Sequence, residues 1–125
     1  MELVFAPDIK KQLAKIQRRL NLENIDLSRI ICFRSYKSQS RARARIWAFP
    51  KIWQLALNLK PYYCIEVLAE KFDHLPSGEQ TKILIHELLH IPKNFSGSLH
   101  PHGSKKTYLV NQNRVKLLYD QYCSR

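Results

Sequence analysis

The sequence has no pair of cysteines spaced to clasp a metal. Cys32, Cys64 and Cys123 stand apart, none in a CxxC pair, which argues against a cysteine zinc knuckle. An odd number at wide spacing fits free thiols in a reducing compartment. No apolar run approaches the roughly 20 residues of a membrane span. The first residues, Met1-Glu2-Leu3-Val4-Phe5-Ala6-Pro7-Asp8, carry an early acid and no long apolar core, unlike a signal peptide. Repeats and low-complexity tracts are missing too. The expectation is a cytoplasmic protein with no membrane partner.

Acids are scarce as well. There are 10 Asp and Glu against 21 Lys and Arg, a formal net charge of +11. That excess favours polyanions through steering and counterion release. Nucleic acid is the first candidate partner, ahead of acidic protein segments and anionic lipid; a plain basic surface is the other reading. The 125 residues, 45% hydrophobic, suit one domain over 1–125 with a real core.

Periodicity supplies the elements. Pro7-Asp8 opens a helix whose Ile9, Leu13, Ile16 and Leu20 share a side. Ile30–Phe33 and Tyr62–Leu68 read as strands. Arg41 to Ala48 alternates with period two, so Arg41, Arg43 and Arg45 would share one strand face, with Trp47 beyond them. That face can hold phosphates and stack a base, or simply be solvated. Pro50 begins a short helix with Ile52, Trp53, Leu55 and Leu59 as its apolar residues. Ser77 and Gln80 form a capping-box pattern ahead of a helix apolar nearly all round, which Pro92 stops. A terminal helix is expected from Ser104 onward. These elements predict a small α+β domain, with a three-stranded, mostly antiparallel sheet packed on the buried helix and the two terminal helices. Tyr62–Leu68 is the candidate cleft edge, able to take an extended peptide by strand addition.

Within the buried helix, His86 and His90 lie one turn apart on one side, and Glu87 follows His86. His86-Glu87-Leu88-Leu89-His90 is the HExxH pattern, two imidazole ligands for zinc and a general base for a zinc-activated water. Polar groups in so apolar a helix need partners, and a metal supplies them. A catalytic zinc takes a third protein ligand. His102, before Gly103-Ser104 where a helix is expected to start, is preferred; His100 is the alternative, as ligand, supporting residue or substrate contact. His74 reads as a surface histidine. Glu66, in an apolar strand, either points into the cleft, orients a metal-bound histidine, or faces outward. Tyr108 is a candidate donor to an oxyanion.

The run His86 to Gly97, followed by Pro101-His102-Gly103, resembles a metallopeptidase domain family of phages, archaea and bacteria, as do Tyr63–Val67 and Phe72-Asp73. The likeness covers roughly residues 40–120. It implies a zincin-like fold, zinc held by His86, His90 and His102, a catalytic Glu87, and a protein or peptide substrate. More distantly the pattern is similar to SprT-like proteases, which act on DNA-bound proteins, although the cysteine zinc ribbon of many of them is absent. The alternative function is a basic nucleic-acid-binding module with a structural zinc.

Overall fold

Helix α1, Pro7–Leu20, shows how directly the periodicity is used. Pro7 and Asp8 sit in its first turn, Arg18 and Arg19 in its last, and Asn21 ends it in the left-handed conformation at φ 53°. Ile9, Leu13, Ile16 and Leu20 are buried, as their spacing predicts. The structure is a computed structural model and describes residues 1–102 and 110–125.

The other elements are β1 (Glu2–Phe5), a 3-10 turn (Leu27–Arg29), β2 (Ile30–Tyr36), β3 (Ala44–Ala48), α2 (Lys51–Leu57), β4 (Tyr63–Leu68), α3 (Ala69–Phe72), α4 (Ser77–Leu89) and α5 (Gln112–Cys123). The class is α+β, but the sheet is mixed and four-stranded, in the order β1-β2-β4-β3. The expected three-stranded, mostly antiparallel sheet missed β1, which pairs antiparallel with β2. It also missed the parallel pairing of β2 with β4; β3 closes the other side of β4 antiparallel. Because β4 has a neighbour on each side, it is interior and cannot be the cleft edge. Its near-continuous burial is what an interior strand requires. Among the described residues the free edges belong to β1 and β3.

Strand β3 begins at Ala44, so Arg41 and Arg43 precede it and the three arginines do not share a strand face. The buried core joins Ile9, Leu13 and Ile16 of α1 to Ile30, Cys32, Ile65 and Val67 of the sheet, and to Leu84, Ile85 and Leu88 of α4. Helices α1, α4 and α5 pack on one another, α1 against β2 and α4 against β3.

Ser77 is not the cap of α4. Pro76 occupies that place, and the Gln80 amide reaches back to the carbonyls of Phe72 and Asp73. At the other end His90 is the C-cap. Helix α5 starts at Gln112, where the Asn111 side chain accepts from the Arg114 N–H. The expected start at Ser104, together with Gly103, Tyr108 and Leu109, lies outside the described residues. No helix among the described residues is long and apolar enough to cross a membrane.

Candidate metal centre

Helix α4 carries its polar residues on a scaffold of buried Leu84, Ile85 and Leu88. One turn separates His86 from His90, and the chain then loops back so that His102 faces both. Ring centroids lie 5.2 Å apart for His86 and His90, 4.9 Å for His86 and His102, and 4.5 Å for His90 and His102. The Nε2 atoms of His86 and His102 are 2.8 Å apart. One nitrogen from each ring lies within 4.8 Å of the others, close enough to share a metal ion. Among the described residues no other group of three His, Cys, Asp or Glu is so placed.

His100 enters differently. Its carbonyl oxygen lies 2.6 Å from His90 Nδ1, and its N–H donates to the His90 carbonyl at 2.7 Å. Such a contact fixes ring orientation and leaves the other nitrogen to face the cluster. The backbone of residue 100 is therefore what the cluster uses, whereas residue 102 brings its ring.

The electrostatics suit metal ligation. Burial, then the neighbouring His90 and His102, lowers the pKa of His86 from 6.5 to about 4. His90 is lowered too, chiefly by burial. At neutral pH these rings are uncharged and have lone pairs to offer. Glu87 is buried, with Oε2 3.9 Å from His86 Nε2. Burial raises its carboxyl from 4.5 to about 8. Beside the cluster runs a cleft of about 650 Å³, lined by Arg43 and Ala44 ahead of and on β3, Glu87 and Lys82 of α4, and Lys116 and Tyr119 of α5.

Over residues 1–116 the sequence matches the family described as "Putative phage metallopeptidase". The chain belongs to this family. No curated protein and no solved structure matches it. Membership in a metallopeptidase family and a three-histidine cluster able to hold a metal ion point the same way.

The remaining sequence candidates fall elsewhere. His74 is exposed in the turn before α4, outside the cluster. Glu66 is buried but engages Arg45 at 2.7 Å and the Trp47 indole N–H at 2.9 Å, and orients no histidine. Burial pushes its carboxyl up, and hydrogen bonds led by Arg45 outweigh this and hold it below the ordinary range. Arg41 is exposed. Tyr63 had no role in the sequence reading. Its buried hydroxyl donates to the Ser98 carbonyl and accepts from the Gly97 N–H, both at 2.8 Å, and its ring meets Phe95 edge-on at 5.0 Å. It pins the loop leading to His102 where Gly97 turns through φ 96°. An inward tyrosine at the start of an apolar strand was the available signal.

Proposed function

We propose that this member of the metallopeptidase family is a zinc-dependent peptidase in which His86, His90 and His102 hold the ion and Glu87 is the general base. The observation that carries the reading is the convergence of three imidazoles, two held neutral, beside a buried carboxyl on one helix. Nitrogen donors in threes are a common set for catalytic zinc. When bound at such a site, zinc lowers the pKa of water and polarises a carbonyl. The protein's own contribution is placement and proton handling. The His100 carbonyl orients His90, and Tyr63 holds the loop that delivers His102. Glu87, with raised proton affinity, is suited to take a proton from water and pass it to the leaving amine. An extended peptide would lie along the free edge of β3, beside α4, and be held by backbone hydrogen bonds.

A structural, closed site needs a fourth protein donor. The cluster has three among the described residues, which favours the open, hydrolytic reading over a zinc-bearing binding module. The test pairs metal content with turnover. Protein prepared without added metal or chelator should carry about one zinc per chain. Glu87→Gln should keep that zinc while cleavage of a broad peptide mixture falls by about 100-fold or more. Equal cleavage by wild type and variant would remove Glu87 from the role. A protein that takes up no zinc would end the proposal.

A further inference from the structure

The helices α1 and α4 share a core with one face of the sheet, where Ile30, Cys32, Ile65 and Val67 are buried. Alternate residues point to the other face. The register sets Phe5, Phe33, Glu66 and Arg45 in one row across the four strands, and Ile31, Cys64 and Trp47 in the next. This second face is rich in exposed rings. Phe5 is 72% exposed and stacks on Phe33 at 5.1 Å; Trp47 is 51% exposed. Beside them an apolar hollow of about 340 Å³ is lined by Ile31, Trp47, Phe49, Leu59, Tyr62 and Cys64.

Two features make this more than a bare apolar surface. First, Trp47 is held in place. Its indole N–H is fixed by buried Glu66, and the Arg45 guanidinium, itself bound to Glu66, lies 4.9 Å from its ring centroid. A ring so oriented is ready to stack. Second, the surrounding chain is strongly basic: residues 27–69 hold eight Lys and Arg, and Glu66, paired with Arg45, is the single acid. Among the described residues Arg41, Lys51 and Lys60 make no ion pair. Lys51 and Lys60 flank Phe49 and Leu59 of the hollow.

The charge selects the occupant. A second copy of a chain at +11 would be repelled. A lipid surface would draw Arg45 and its ion pair beneath hydrocarbon, a costly burial. A duplex hides its base faces, so flat rings have nothing to stack on. An anionic chain with unpaired bases satisfies both the rings and the cations. We propose that this face of the sheet binds single-stranded nucleic acid, with bases stacked on Trp47 and on the Phe5–Phe33 pair and phosphates near the flanking Lys51 and Lys60. Phe33 on β2 and Trp47 on β3 lie on the strands flanking β4, which are about 10 Å apart across the sheet, and Phe5 lies one strand further out on β1.

The inference is independent of the metal site, and its test uses the metal-free full chain. Binding of oligo-dT, of a duplex of equal length, of inorganic polyphosphate and of phosphatidylserine vesicles is measured by titration calorimetry in wild type and variants, with tryptophan fluorescence followed alongside in the wild type. Oligo-dT should quench the signal and bind more tightly than the duplex, with affinity falling steeply as salt rises. Trp47→Ala should weaken oligo-dT binding about tenfold or more, and Phe5→Ala, on the edge strand, several-fold. Trp47→Phe keeps a stacking ring and should retain most of the affinity. Polyphosphate binding should be unchanged in all three variants. No binding of oligo-dT at low salt would overturn the proposal. So would equal affinity for duplex, indifference to both alanine substitutions, or Trp47-dependent binding to vesicles alone.

Discussion

Replacing Glu87 by Gln should stabilise the metal-free protein at alkaline pH, and the size of the effect follows from burial. The Glu87 carboxyl is raised from 4.5 to about 8. Between those values the folded chain holds a proton that the unfolded chain has released, so stability is lost as pH rises through the window. His86 works oppositely: lowered from 6.5 to about 4, it is neutral in the folded chain while the unfolded chain is protonated, and stability is gained as pH rises toward 6.5. The two slopes oppose each other below pH 6.5. Above it the histidine contribution is nearly complete and Glu87 dominates. One proton corresponds to about 1.4 kcal/mol per pH unit. Allowing for curvature near pH 8 and the tail of the histidines, the net loss from pH 6.5 to 8 is about 1 kcal/mol. Urea unfolding with chelator present, followed by tryptophan fluorescence, measures it. In Glu87→Gln the decline should vanish, and at pH 8 the variant should exceed wild type by at most about 4 kcal/mol. Parallel pH profiles for the two proteins would refute a buried, protonated Glu87. The same substitution is expected to abolish turnover, so stability gained and function lost would appear in one side chain.

Other expectations follow from single contacts. His102→Ala should weaken zinc binding about tenfold or more, while His100→Ala, which leaves the carbonyl facing His90 in place, should stay near wild type by metal titration; the reverse order would move the ligand to His100. Tyr63→Phe removes the partner of the Gly97 N–H and the Ser98 carbonyl and should cost about 1–2 kcal/mol in chemical denaturation, with weaker metal retention because the loop to His102 loosens. Arg45→Ala removes the ion-pair partner of the buried Glu66 carboxylate, and should cost about 2 kcal/mol or more, partly recovered in the double variant with Glu66→Gln.

What was legible in the sequence was local. The spacing of His86 and His90 and the apolar residues around them speak only of one helix, and α4 carries them as expected. His102 and His100 are two residues apart, and no spacing rule separates a ring that joins the cluster from a backbone that supports it; the loop geometry does. Strand β1 left no trace because all four of its residues are exposed and show no alternation. Strand order was invisible for a different reason, since the parallel pairing of β2 with β4 joins segments separated by β3 and α2. The aromatic and β-branched run Tyr62–Leu68 was its one sequence-level hint, read as a strand and assigned to an edge. The arginine alternation was real, but the strand starts too late to use it.

Strand β4 ties the two faces together through its pleat. Tyr63, Ile65 and Val67 point to the helices, where the Tyr63 hydroxyl reaches Gly97 and Ser98; Cys64 and Glu66 point away, where Glu66 meets Arg45 and Trp47. A slip of one residue would exchange every one of these side chains between faces. Tyr63 would leave the loop that carries His102, and Glu66 would enter the apolar core as an unpaired charge, a costly burial. Arg45 stands directly opposite Glu66 in the β3–β4 register, so the correct pairing is also the one that satisfies the charge. An ion pair of this kind adds little net stability over an apolar pair. Its contribution is to the register, and the register in turn sets Tyr63 against the metal loop.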